Sequence, residues 1–200
     1  MAAVLASSRP FAQPELLPPV SLVRAPTVVA MVGPDVRDRV HELPEAPQSS
    51  IGAPLPVVLA DERDVLVVYL LENRDPDWDG TTVRVVDTAS DGVVAIAHFS
   101  GVWATQFGAP NDEALDGHPL FACGLRSYGA FTVEPSSWKA ELAARNAVHP
   151  YHDPRYFRTL THYVLTFHDS MFECLARTVE FEVLAGSISD VVARAVVRLG

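Results

Sequence analysis

An α+β fold is predicted for this chain: a single antiparallel β-sheet of about six to eight strands, packed by two or three helices behind a Pro-rich N-terminal tail. Three observations predict it. From Pro56 onward, short apolar and β-branched runs alternate with acidic or Gly-containing turns, the mark of antiparallel strands. Two later segments carry helical rather than strand periodicity. Ten of the 16 prolines fall in residues 1–56, where their fixed φ and missing N–H donors prevent a long helix or ladder.

Residues 1–52 are expected to be a mostly extended or disordered tail, with Met1 or Met31 as the natural start, and residues 53–200 one domain. Val57–Ala60 and Val65–Leu71 flank the turn Asp61-Glu62-Arg63-Asp64, and Val83–Val86 and Val93–Phe99 flank Asp87–Gly92. Further strands are expected at Val102–Phe107 and Tyr128–Val133. Several runs are apolar on both faces, so the middle of the sheet should be covered on both sides. A short helix is expected at Asn111–Leu115, capped by Asn111 and stopped at Gly117. Ser136 or Ser137 can cap a helix from Trp138 to Asn146, bracketed by Pro135 and Pro150. Near the C-terminus Ile188, Val191, Val192, Ala195, Val196 and Leu199 repeat at helical spacing, with Ser189 as the cap.

With 48% apolar and 20% charged residues the composition is that of an ordinary globular protein. No apolar run reaches the roughly 18 to 20 residues that cross a bilayer, and Arg9-Pro10 and later prolines break up any export signal. No membrane role is therefore expected. The formal charge of −10 repels phosphate backbones and the basic residues form no run, so no nucleic-acid partner is expected either. Cys123 and Cys174 make no CxxC pair, which reads as reduced thiols in the cytoplasm. Of the 15 basic residues only Lys139 is a lysine, a codon bias that points to a GC-rich bacterial genome.

Chemistry is concentrated between His149 and Cys174, which hold four of the seven histidines. Residues His162–His168 alternate as a strand, and Asp169-Ser170 is a plausible reversal before Met171–Ala176. In that hairpin Phe167 would face Phe172. One surface would carry Tyr163, Leu165, Phe167, Phe172, Cys174 and Ala176 as a core face, and the other His162, Val164, Thr166, His168, Met171 and Glu173. Cys174 then lies inside as a packing group, because a buried thiol is a poor nucleophile. His168 and Glu173, with Asp169 in the turn, are the candidate catalytic residues, able to act as an acid–base or ligand pair or simply to form a solvated pair. After Arg177 the apolar phase shifts to Val179, Phe181 and Val183, which implies a bulge or break near Thr178.

His149-x-x-His152, followed by Asp153, is the candidate metal site, and a divalent metal is the cofactor it would take. His118, His168 or Asp169 would have to supply further ligands in space; the alternative is that both histidines bond loop carbonyls. Asn111, Asp112 and His118, in the long polar connection from Gly108 to Leu120, are the candidate ligand-binding residues. Asp75-Pro76-Asp77-Trp78-Asp79-Gly80 matches the first half of a calcium loop, but Val86 stands where the bidentate Glu belongs. Ser136-Ser137-Trp138-Lys139 matches a bare S-x-x-K, which helix capping explains equally well. No nucleophile elbow, phosphate loop or H-E-x-x-H occurs.

The strings Asn111-Asp112-Glu113-Ala114-Leu115-x-Gly117-His118-Pro119-Leu120, Asn146-x-Val148-His149-Pro150-x-His152-Asp153-Pro154 and Phe167-His168-Asp169-Ser170-x-Phe172-Glu173-Cys174, together with Ser137-Trp138, resemble a family of uncharacterised bacterial proteins across about residues 53–183. The resemblance implies no activity, cofactor or catalytic residue. Met171 stands where that family would have a small hydroxyl residue. The function expected is a small cytoplasmic binding or accessory protein with a protein or small-molecule partner. The alternative is a metal-dependent or acid–base enzyme acting on a small molecule through the His/Asp cluster.

Overall fold

The computed structural model describes residues 38–72 and 85–199. Along the described chain the strands are β1 (Val40–Glu42), β2 (Val57–Ala60), β3 (Asp64–Leu70), β4 (Gly92–Ser100), β5 (Ala104–Gly108), β6 (Ala130–Val133), β7 (Thr161–Thr166), β8 (Met171–Ala176) and β9 (Thr178–Gly186). The helices are α1 (Ser137–Asn146), α2 (Pro154–Arg158) and α3 (Ile188–Ala195). The strands form two antiparallel sheets, ordered β1-β6-β7-β8-β5 and β2-β3-β4-β9. The expected single sheet is thus corrected to two. Alternation tells which side chains share a face, but two sheets packed face to face show the same alternation as one covered sheet.

Between β1 and β2 the chain passes from the five-stranded to the four-stranded sheet, and it changes sheets again at two neighbouring corners. It leaves β4 for β5 through Gly101 and leaves β8 for β9 through Arg177, whose N–H donates to the Ser100 carbonyl at 2.9 Å. The phase shift near Thr178 is therefore a crossing between sheets rather than a bulge within one. Gly101 adopts φ +65°, and a Cβ there would lie 2.9 Å from Arg177 Cδ. Only glycine meets both demands without strain.

Between the sheets, Val65, Val67, Tyr69, Ala95, Ala97 and Phe99 meet Tyr163, Leu165, Phe167, Phe172, Cys174 and Ala176. The second group is the core face expected of the hairpin. Phe99 anchors it, with ring centroids 5.5 Å from Tyr163 and 5.3 Å from Phe172. The outer face of the four-stranded sheet is covered by α3, whose Ile188, Val191 and Ala195 pack on Leu66, Val68 and Ile96. Helix α3 is capped by Ser187, which accepts from Asp190 N–H at 3.1 Å, not by Ser189. Ile188 is buried and must already be helical, so the cap lies one residue before it.

The outer face of the five-stranded sheet is covered as well. Short 3₁₀ helices at Asp112–Gly117 and Phe121–Cys123 bring Leu115 and Leu120 onto Val164 and Met171. Helices α1 and α2 bring Trp138, Phe157 and Leu160 onto Leu175. Helix α1 starts where expected, with Ser136 Oγ accepting from Lys139 N–H. Helix α2 was not expected, although Asp153-Pro154 is a readable cap and N1 pair.

Part of the segment expected to be a tail carries sheet pairing. Strand β1 pairs with β6, and Ser49 bridges to Leu71. The tail up to residue 37, both candidate start methionines and the calcium-like string at 75–80 lie outside the described residues. So do residues 83–84 of the expected Val83–Val86 strand, while 85 and 86 are in no strand. No helix among the described residues is long and apolar enough to cross a membrane.

Two substitutions test this architecture. Gly101→Ala should cost at least about 1 kcal/mol in urea unfolding, because alanine is forced to positive φ against Arg177. Ser187→Ala should cost about 1 kcal/mol through loss of the α3 cap.

Candidate functional site

The β7–β8 hairpin decides which polar groups meet. The Phe167 N–H donates to the Ser170 carbonyl at 2.8 Å, so the two-residue loop is His168-Asp169, and Leu165, not Phe167, faces Phe172. Closing one residue early shifts the pairing by two and leaves every strand side chain on its expected face. It also lifts His168 off the strand into the turn. The expected His168/Glu173 pair does not form, and each residue joins a different cluster.

The first cluster is buried. Glu173 Oε2 lies 2.8 Å from His162 Nε2, and Oε1 lies 3.3 Å from His118 Nε2. His162 Nδ1 lies 2.9 Å from Ser136 Oγ, the α1 cap, and the Trp138 ring stands edge-on to the imidazole. His162 is 1% exposed, Ser136 3% and Glu173 8%. The carboxylate fixes the protons: Glu173 can only accept, so Nε2–H of His162 points at it, and in the neutral ring Nδ1 accepts the Ser136 hydroxyl hydrogen. The His118 Nδ1 accepts Leu120 N–H at 3.3 Å, so its Nε2–H also points at Glu173. Burial pushes the Glu173 carboxyl up, but the donors from His118 and His162 outweigh it and hold the group at about 2. The chain Ser–His–Glu resembles a catalytic triad in composition only. Its serine is buried and its hydroxyl is engaged, so no substrate reaches it.

The second cluster is open to solvent. Tyr128, just before β6, donates its hydroxyl to Asp112 Oδ2 in a short contact. His168 Nδ1 lies 2.9 Å from Tyr128 Oη and 3.2 Å from Asp112 Oδ2. The Asp112 N–H also donates to the His168 carbonyl at 2.9 Å, tying the 3₁₀ segment to the hairpin turn. Tyr128 holds φ +59°, an unfavourable conformation for a residue with a Cβ. Its carbonyl is pinned by Gln48 Nε2 at 2.8 Å. The hydrogen bond to Asp112 pushes the Tyr128 hydroxyl up to about 12 and, from the other side, holds the Asp112 carboxyl below the usual range. The His168 side chain is 42% exposed, and its Nε2 lies 4.0 Å from Oδ1 of the exposed Asp169. Tyr128 also borders a small cavity of about 30 Å³ between the segment Ala46–Ser49 and Tyr69, Leu165 and Phe167.

The remaining candidates serve local structure. Asn111 caps the 3₁₀ helix by accepting from Ala114 N–H at 3.1 Å. His149 Nδ1 accepts from Tyr151 N–H at 3.1 Å, and His152 Nδ1 takes Asn146 Nδ2 at 3.0 Å. Among the described residues no three His, Cys, Asp or Glu side chains converge on a position that holds a metal ion. Cys174 is fully buried and its thiol is pushed up by burial.

Three participants escaped the sequence reading of the site. His162 shares its hairpin face with Glu173, and that shared face is the signal in the sequence that points to it. Ser136 was visible as a cap, and Tyr128 had no signal at all. Compared with known proteins, the chain matches no family model, no curated protein and no solved structure.

Because the folded-state value of Glu173 lies below the ordinary glutamate value of 4.5, its stabilisation is complete above that pH and is lost as pH falls toward about 2. Glu173→Gln leaves one imidazole N–H facing an amide donor and should cost about 1–3 kcal/mol at neutral pH. Urea unfolding across an acid pH series should show the fall in stability in the wild type and a flatter profile in the variant.

Proposed function

We propose that the protein works by binding, as an accessory or interaction domain, and that its contact surface is the Asp112–Tyr128–His168 patch. One observation carries this: three side chains from distant parts of the chain close a hydrogen-bonded ring where His168 stays open to solvent, and a strained backbone is maintained at Tyr128 to do so. Strain that the surrounding structure holds in place clusters at ligand-contact positions.

The Ser136 hydroxyl and the Cys174 thiol are both buried, so neither serves as a nucleophile for acyl transfer.

Equilibrium dialysis of the full chain against a low-mass bacterial metabolite extract, read by mass spectrometry, tests the proposal. A compound should be retained by the wild type and lost with His168→Ala. Retention that survives both His168→Ala and Asp112→Ala would move the site elsewhere, and chemical conversion of a retained compound would establish the acid–base enzyme instead.

A further inference from the structure

The seven histidines are not equivalent, and their hydrogen-bond partners sort them. The His118, His149 and His152 rings each use Nδ1 as an acceptor, from Leu120 N–H, Tyr151 N–H and the Asn146 amide, so in the neutral ring the proton sits on Nε2. The His162 Nε2 donates to Glu173, the His41 Nε2 faces the Glu134 carbonyl, and the His98 Nε2 lies 3.8 Å from Asp64 Oδ2. These contacts make His41, His118, His149, His152 and His162 Nε2–H tautomers, while the His98 Nε2 lies 3.3 Å from the Ser100 hydroxyl, which can donate or accept.

His168 is the reverse. Its Nδ1 has two partners, a carboxylate oxygen that can only accept and a tyrosine whose hydrogen is already directed at that same carboxylate. Both contacts require a proton on Nδ1. The neutral ring then carries its lone pair on Nε2, the nitrogen turned toward the exposed Asp169, in a side chain that is 42% exposed. An oriented imidazole backed by a carboxylate is the arrangement that presents a base or a ligand atom to an incoming group.

We infer that Asp112 and Tyr128 are positioning residues that hold His168 as a surface base, and that the ligand of this patch meets Nε2 with a hydrogen-bond donor, an ammonium or hydroxyl group. The inference rests on the patch proposed above as the contact surface. The other side-chain group nearest Nε2 is the Asp169 carboxylate, 4.0 Å away and also an acceptor. A ligand carboxylate or phosphate would meet two acceptors there, whereas an ammonium can donate to both.

Long-range proton–nitrogen NMR on the full chain at about pH 8, above the ordinary histidine range, reads the tautomer directly. His168 should show a protonated Nδ1 and a bare Nε2, opposite to His118 and His162. Asp112→Ala should move His168 toward the Nε2–H form with the amide spectrum otherwise retained, while Asp169→Ala should not; Tyr128→Phe leaves the carboxylate facing Nδ1 and should broaden the His168 ring signals without changing the tautomer. In the wild type, diethyl pyrocarbonate, which acylates a bare ring nitrogen, should modify His168 ahead of His118 and His162, and that lead should shrink in Asp112→Ala. At matched ionic strength, ammonium chloride should perturb the His168 ring signals before sodium phosphate does.

A protonated Nε2 in the wild type overturns the inference without needing any variant to fold. An unchanged tautomer in Asp112→Ala overturns the positioning role of Asp112, unchanged ring signals in Tyr128→Phe overturn that of Tyr128, and phosphate acting ahead of ammonium overturns the ligand class. If the tautomer is as stated but dialysis retains nothing, it is the binding function that fails and not the base.

Discussion

A hairpin covered on both faces cannot leave a polar side chain without a partner, and strands β7 and β8 meet that constraint with a single carboxylate. Glu173 receives two imidazole donors and, through His162, the hydroxyl that caps α1. One buried group thereby connects the hairpin to the 3₁₀ cover and to the start of a helix. Each of these elements packs apolar side chains on the outer face of the five-stranded sheet. The carboxylate lets that face be closed without an orphaned charge, whose burial would otherwise cost several kcal/mol.

The same closure separates structural histidines from an available one. His118 and His162 are consumed inside, and His149 and His152 hold a loop. His168 escapes because the hairpin turns one residue earlier than alternation alone implies, which places it at the rim beside Asp112 and Tyr128. A one-residue choice of turn thus determines whether this imidazole is a buried neighbour of Glu173 or an oriented group at the surface. The backbone contact from Asp112 to the His168 carbonyl keeps that choice in place.

The sheet arrangement has its own hinge of logic at Gly101 and Arg177. Two strands that each continue into the opposite sheet must bend at nearly the same point, and the hydrogen bond between Arg177 and Ser100 joins the bends. The close approach leaves no volume for a side chain at residue 101. The aromatic cluster of Phe99, Tyr163 and Phe172 then fills the space between the sheets, so the corner and the core depend on one another.

The amino-acid sequence by itself determined the periodicities: the described strands other than β1 lie at or within a few residues of apolar runs, the α3 stripe is buried as its spacing implies, and the two faces of the 162–176 hairpin are assigned correctly, with Cys174 inside. These are local properties, set by a period of two or 3.6 residues and by short-range capping. Only the tertiary structure decided that there are two sheets, that Ser136 and His118 converge on Glu173, and that Tyr128 and Asp112 converge on His168. Those pairings join residues up to 56 positions apart, and their partners are selected by packing and by the proton accounting of a buried space, neither of which leaves a spacing that can be read along the chain.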